Sequence, residues 1–306
     1  GDYDLYDFRS ENEHRTTHAA QLQLKGKLDT AGIKHELSLG LLRSSYKERG
    51  QPQAFNPVGP SNLFAPVHVA SDPMTFPSAP YTQRDDRSTE LSFSDAIQWN
   101  HQFSSWLGLR HTAIHLASAN TVRTPYSQNF NTPWAAVAYQ ASSHTMLYAS
   151  HGQGIESRVV PNLPTYGAQA GQALPALRSR QTELGIKSHV SGVQWGLAWF
   201  DITRPLVVDT GRSVVLDGQQ RHTGLEASAQ THRGAWQLGG SVSALRATQK
   251  DAIVNSALNG QRPTSVPQQI ARANVGYRFA SVPGLAANAH LSHEGQRSVL
   301  PGGSIT

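Results

Sequence analysis

The chain has 306 residues, 38% hydrophobic and only 15% charged; 26 Lys and Arg against 21 Asp and Glu leave a formal net charge of +5. Soluble domains usually run nearer 45–50% apolar and about 25% charged; here Ser, Thr, Gln, Asn and 26 Gly fill the polar positions. The lack of Cys excludes disulfides, thiolate metal sites and a Cys nucleophile. Six Trp, nine Tyr and nine Phe argue against disorder. No apolar run approaches the ~18 residues of a membrane-spanning helix. The N-terminus lacks a basic start followed by an apolar stretch, as expected of a processed chain or a fragment.

The hydrophobic pattern has period 2. Ile33, His35, Leu37, Leu39 and Leu41 alternate with Lys34, Glu36, Ser38 and Gly40. Trp236, Leu238, Gly240, Val242 and Ala244 alternate with Gln237, Gly239, Ser241 and Ser243, and the same reading recurs at 271–279 and 285–292. Successive side chains of a strand point to opposite faces, so the pattern predicts an all-β chain with no amphipathic helix. Strands are predicted over 1–9, 14–28, 33–47, 83–99, 104–118, 133–141, 145–157, 179–189, 193–206, 214–231, 235–248, 267–279 and 285–297. Many exceed the ~5–6 residues of a soluble-protein strand and suit a tilted crossing of a bilayer with an extension beyond it.

Short turns near 29–32, 100–104, 141–144, 191–192, 232–234 and 280–284 alternate with longer segments near 48–82, 119–132, 158–178, 207–213 and 249–266. One rim of tight turns and one of long loops is the plan of an outer-membrane barrel, with the short turns periplasmic. In such a barrel the apolar face meets lipid and the Ser-, Gln- and Gly-rich face meets a wet lumen, the reverse of a soluble sandwich. Trp134, Trp195, Trp199 and Trp236, with Tyr148 and Tyr277, are candidates for the interfacial girdles.

Four ordered segments carry a specific resemblance. Residues 148–158 (YASHGQGIESR) end a strand with a Y-A-S-x-G-Q-G pattern, and 170–187 (AGQALPALRSRQTELGIK) are similar to P-x-L-K-S-R-Q-x-E-x-G-x-K. Residues 200–205 (FDITRP) and 217–226 (DGQQRHTGLE) follow, then 266–274 (VPQQIARAN) at a strand start. Together they resemble the TonB-dependent siderophore receptors over about 145–297; the first half matches in style only. The resemblance implies a transmembrane antiparallel up-and-down β-barrel, of which this chain supplies about 13 of an expected 22 strands. It implies that residues 1–306 are a partial barrel domain, with the N-terminal plug and the final strands absent. It further implies a monomeric outer-membrane receptor, not an enzyme, that binds a ferric siderophore and is driven by the TonB–ExbB–ExbD complex through the plug. No resident cofactor is implied, since iron arrives inside its chelator.

Glu183, Gly185 and Lys187 share one strand face, as do Gly224, Glu226 and Ser228. Arg180, Glu183, Lys187, Arg221 and Glu226 are accordingly the candidate plug contacts. Candidate ligand contacts on external loops and the upper lumen are Phe64, Tyr81, Arg84, Tyr126, Tyr166, Arg178 and Arg262. Phe64 and Tyr81 lie, with Phe55 and Phe76, in a segment holding seven prolines between Gln51 and Tyr81. Aromatics there would stack on a flat ligand or cover the barrel mouth, or the segment would pack on itself.

The basic residues form no run, which argues against nucleic acid. Many fall near the external rim, among them Arg43, Lys47, Arg87, Arg178, Arg180, Lys250 and Arg262. Two roles fit equally: steering an anionic ferric chelate toward the mouth, or pairing with lipopolysaccharide phosphates outside it. His111 and His115, four apart on a strand, stand roughly 13 Å apart and cannot share an ion. Asp85-Asp86 lacks the D-x-D-x-D-G spacing of a calcium loop. His151-Gly-Gln-Gly154 has no accompanying G-x-S-x-G elbow, and no nucleophile–base set is legible. The alternatives to siderophore uptake are a receptor of the same build for a cobalamin, haem or glycan, and a soluble or surface carbohydrate-binding β-module.

Overall fold

Tight turns that demand left-handed backbone set the hairpins at one end. Ala31 (φ 54°) and Gly32 (φ 85°) close the first, pinned by the Gly32 N–H donating to Asp29 Oδ1 at 2.9 Å. Ser191 (φ 53°) and Gly192 (φ 76°) close another. Two consecutive positive φ values match the twist of paired antiparallel strands. The computed structural model describes residues 1–9, 12–51, 54–67, 82–119, 123–156, 158–161, 164–170 and 172–299.

Among these, fourteen strands and two short 3-10 turns occur, with no α-helix. In order they are β1 (Asp2–Arg9), β2 (His14–Thr30), β3 (Ile33–Gly50), β4 (Ala54–Asn62), β5 (Thr82–Gln98), β6 (Phe103–Ala119), β7 (Arg123–Ser142), β8 (Thr145–Glu156), β9 (Leu177–Val190), β10 (Val193–Asp209), β11 (Val214–Arg233), β12 (Trp236–Lys250), β13 (Gln269–Arg278) and β14 (Ala286–Glu294). Twelve form one antiparallel meander, from β2 through β3 and β5 to β14. It is an unclosed section of barrel wall: among the described residues β2 pairs only with β3, and β14 only with β13.

Three expectations are corrected. β1 is not a wall strand; it pairs with β4 in a separate two-stranded ribbon, from Asp2↔Asn62 to Arg9↔Ala54. β4 falls in a segment expected to be loop; it carries Pro57 and Pro60, residues that strands admit at sheet edges, and both strands of a two-stranded ribbon are edges. β7 begins at Arg123 rather than 133 and stays in register with β6 as far as Ala119↔Arg123. Its upper half carries Ser127, Asn129 and Asn131 on one face and mixes Tyr126 and Phe130 with Gln128 and Thr132 on the other, so no regular apolar period marks it, although the ladder to β6 continues.

The registers place every wall residue on one of two faces. One face carries Leu39 and Leu41, Leu91 and Phe93, Leu107 and Leu109, Leu197 and Trp199, and Leu238 and Val242. Among the described residues no second sheet covers it, and the large side chains stand open: Leu22 is 71% exposed and Leu24 69%. An apolar face of this extent has lipid as its solvent. Its rows run about 9 residues, roughly 30 Å of strand, which at a tilt of about 40° spans close to the ~25 Å apolar band of such barrels. At the tight-turn end it is rimmed by aromatics: Phe103 on Tyr139 (4.8 Å between centroids), Trp236 on Tyr277 (4.6 Å) and Tyr277 on Phe279 (4.9 Å).

The opposite face is polar. A hollow of about 730 Å³ lies against it, lined across β7 to β13 by Gln140, Lys187, Gly196, Gln230, Ser241 and Asn274 among others. A sheet that cups space across that many strands is concave there, so this face is the lumen. Trp134 and Tyr148 belong to it and not to the girdle. Each lies over a glycine on the next strand, Trp134 over Gly108 and Tyr148 over Gly185, where an added Cβ would sit 2.2 and 2.4 Å from ring atoms. Among the described residues, buried apolar clusters form at the loop end: Val160, Tyr166, Leu174 and Val214 in one, Leu206, Ala252 and Leu258 in the other.

Candidate functional site: the polar bore and its external rim

The centre of the lumenal wall holds a group of opposite charges. The Tyr148 hydroxyl donates to Glu183 Oε1 across the β8–β9 pair, and Gln181 Nε2 donates to Glu183 Oε2 at 3.2 Å. Lys187 Nζ stands 4.9 Å from the centre of the Tyr148 ring. Two strands away, Glu226 accepts from Ser243 Oγ at 3.3 Å. Between them β10 presents Gly196 and Ala198, leaving a hollow of about 370 Å³ lined by Tyr148, Glu183, Lys187, Glu226, Ser241 and Arg272. The small β10 residues let two carboxylates and two cations face one space without closing on each other.

Higher in the bore, each cation meets an acid. Arg84 Nε donates to Asp86 Oδ2 at 2.7 Å, and its guanidinium lies 5.4 Å from the Tyr46 ring centre. Arg110 pairs with Glu90 at 3.4 Å, and Arg204 pairs with Glu156. Sequence reasoning missed two lumenal groups at this height. Asp86 Oδ1 and His222 Nε2 are buried without a hydrogen-bond partner among the described residues, so each has a polar atom left to bond to water or to a bound group. The even spacing from His222 to Glu226 could have placed that residue on the lumenal face.

The structure does not gather the predicted site residues into one place. Glu183, Lys187 and Glu226 share the bore. Arg180 and Arg221 do not: Arg180 pairs opposite Thr203 and Arg221 opposite Thr203 from the other side, on the outward face. Arg221 Nε donates to both Asp201 oxygens, at 3.0 and 3.1 Å, outside the barrel. The reason is parity: three residues separate Arg180 from Glu183 and five separate Arg221 from Glu226, both odd.

Of the ligand candidates, Phe64 is 86% exposed just beyond the free end of the β1–β4 ribbon. Arg84 faces the bore but is paired, as above. Tyr126 accepts from the Ala176 N–H at 2.9 Å, tying the 158–176 segment to β7. Tyr166 is buried and donates to Asp209 Oδ2 at 2.7 Å. That hydrogen bond, then the Gly211 N–H, holds the Asp209 carboxyl below its usual range. Arg178 lies 5.8 Å from the Phe130 ring centre, and Arg262 donates to the Gln296 carbonyl at 3.3 Å. Tyr81 lies outside the described residues. His111 and His115 hydrogen-bond separate partners, Asn131 and Ser127. Asp85 and Asp86 face opposite sides of the wall, with Arg87 and Arg84 respectively.

A long-stranded antiparallel wall, apolar outside and polar within, is matched by one family model. The model for the TonB dependent receptor-like β-barrel covers residues 1–303. The chain belongs to the TonB-dependent receptor β-barrel family. Its setting is the bacterial outer membrane. The chain is 26% identical over 219 residues to the ferrichrome receptor FcuA of Yersinia enterocolitica, covering 66% of this chain and 28% of that protein. It is 26% identical over 182 residues to the metal-pseudopaline receptor CntO of Pseudomonas aeruginosa, covering 55% and 24%. In fold it resembles the ferric preacinetobactin receptor BauA of Acinetobacter baumannii, with a TM-score of 0.80 at 20% identity over 95% of this chain and 45% of that one. It also resembles the ferric-catecholate import receptor Fiu of E. coli K12, with a TM-score of 0.73 at 17% identity over 95% and 46%. This receptor-family chain thus spans about a quarter of the length of the curated relatives it matches, and under half of the solved receptors.

Proposed function

We propose that this chain is part of the barrel wall of a TonB-dependent receptor that binds a ferric siderophore and passes it through the outer membrane. The observation that carries the reading is the mid-bore group of Glu183, Lys187, Glu226 and Arg272 around one hollow. Facing carboxylates and cations held on small residues suit a bore that seats and releases a plug, because such pairs can exchange partners with a polar surface inserted between them. On this reading those four side chains bind the plug, and TonB acts through it. Asp86 and His222, with their unpartnered atoms, hydrogen-bond the plug or the ligand above. Because Arg84, Arg110 and Arg204 are neutralised in place, ligand recognition rests on hydrogen bonds and aromatic faces more than on a cationic funnel. Iron is cargo, held by its chelator.

The test is uptake of radiolabelled iron by the full receptor, expressed in a strain stripped of its own siderophore receptors and grown under iron limitation. A panel of hydroxamate, catecholate and carboxylate chelates is offered beside haem and cobalamin. TonB-dependent accumulation of at least one ferric chelate is expected. Uptake of haem or cobalamin alone would replace the substrate class, and uptake of none would overturn the reading.

A further inference from the structure

At its tight-turn mouth the lumenal wall changes chemistry. The hollow of about 730 Å³ across β7 to β13 has no carboxylate in its lining, but it has two histidines and a methionine: His144, His189 and Met146. His144 occupies the two-residue turn between β7 and β8, and His189 lies next to the last residue of β9. Their backbones adjoin. The His189 N–H donates to the His144 carbonyl at 2.9 Å, one step past the Thr145↔Ser188 pair. Residues opposed in this way hold their Cβ atoms about 5 Å apart, so two imidazoles can meet on one ion at metal–nitrogen distances of about 2 Å. Histidines spaced along one strand, such as His111 and His115, cannot. Ser143 Oγ hydrogen-bonds His144 Nδ1 at 2.7 Å, which leaves Nε2 free to ligate. Among the described residues His189 has no side-chain hydrogen bond. Met146, two residues on from His144, pairs opposite Lys187. The Lys187 ammonium turns up the bore to the Tyr148 ring, 4.9 Å from its centre, and so away from the histidines. Among the described residues no third histidine or carboxylate joins the pair; the third donor is the thioether.

We propose that His144, His189 and Met146 form a copper site at the periplasmic mouth of the bore. The donor set selects the metal. Calcium and magnesium take carboxylate and carbonyl oxygens, and this lining supplies no carboxylate. Protein zinc sites are built from thiolate, imidazole and carboxylate, not from a thioether. Two imidazoles bind Cu(II) more tightly than nickel or zinc, and the soft sulfur of Met146 adds a ligand that favours Cu(I). His144 and His189 are both exposed, so an ion entering from the tight-turn side has a path to the site. Once bound, it ties the β7–β8 turn to the end of β9. The site stands apart from the mid-bore charges and does not depend on which ligand the bore carries.

The test uses the full receptor in detergent, freed of metal with a chelator. Cu(I) is titrated without oxygen against a chromophoric copper chelator, and Cu(II) and Zn(II) are titrated in parallel. The Cu(II) form is also read by electron paramagnetic resonance, whose hyperfine pattern counts ligating nitrogens. Copper is expected to bind more tightly than zinc, with two imidazole nitrogens on Cu(II). H144Q and H189Q should each lower copper affinity about tenfold or more and remove one nitrogen from the pattern. M146L should weaken Cu(I) and leave the nitrogen count of Cu(II) unchanged. H232Q, two strands from His189 on the same rim and outside the hollow, should alter neither. Heat-modifiable mobility in SDS checks that each variant is folded, and the remaining single variants serve if one is not. Copper held no more tightly than zinc, or full copper affinity in folded H144Q, H189Q or M146L, would overturn the proposal.

Discussion

Single side chains here settle questions that the alternation of the strands leaves open. Trp134 and Tyr148 sit among apolar or small neighbours in the sequence and read as lipid anchors; each instead lies flat in the lumen over a glycine. Gly108 and Gly185 supply the space, and the ring covers backbone that a bare glycine would leave exposed. Asp217 shows another such role. It is 3% exposed and accepts the N–H groups of Ile253 and Val254 at Oδ1 (2.6 and 2.9 Å) and of Asn255 at Oδ2 (3.0 Å), fixing the segment after β12 at the external end. Burial pushes its carboxyl upward, but the three donors outweigh that and hold it below the usual range. A carboxyl with a depressed folded pKa contributes fully above its unfolded value of about 3.9 and loses that contribution as pH falls through the lower folded value. Amide exchange of residues 253–255, corrected for intrinsic rate, is therefore expected to stay protected from about pH 7 to pH 4 and to lose protection below. D217N should lose much of it already at neutral pH. Unchanged protection in D217N would show that the loop holds itself.

At the scale of the strand, face assignment governs everything. Leu197 and Ser228 are on adjacent strands, yet Leu197 (44% exposed) faces lipid near the middle of the belt and Ser228 faces the bore. L197R places a guanidinium in hydrocarbon and is expected to cost about 2–4 kcal/mol. S228R enters the wide polar hollow and should cost less than about 1 kcal/mol, the usual range for a side chain that reaches water. Urea unfolding of the full receptor from lipid vesicles measures both. Equal losses would mean that the inside and outside have been exchanged. Much of this was legible beforehand: the period, the strand lengths and twelve of the thirteen expected strand starts to within two residues. The ribbon of β1 and β4 was not, because pairing between strands far apart in sequence leaves no local mark. The upper half of β7 was not, because a strand with one polar face and one face that mixes Tyr126 and Phe130 with Gln128 and Thr132 has no regular apolar period.

For the whole molecule, the open edges dominate. β2 and β14 each present one unpaired row of backbone donors and acceptors, and in a bilayer such rows are costly. Residues 1–306 refolded alone into detergent are expected to form mixed oligomers without heat-modifiable mobility. The same residues within the full receptor should run as one heat-modifiable species. A monodisperse, heat-modifiable monomer of the isolated chain, seen by analytical ultracentrifugation, would contradict this and would mean that the two edges find each other.

The amino-acid order by itself determined the strands that cross the membrane, the tight turns that join them, the length of the apolar rows and the family-like segments around Glu183 and Glu226. Each of these is a local property, written in side-chain period and turn chemistry. It also held the parity that separates Arg180 and Arg221 from those acids. Only the assembled sheet decided which face is concave, that Arg84, Arg110 and Arg204 are paired with acids in the upper bore, and that Arg43 and Lys47 look outward without an ion pair among the described residues. Alternation fixes faces only relative to one another within a strand. Curvature and the cross-strand register, which depend on neighbours many residues away, convert that relative pattern into inside and outside.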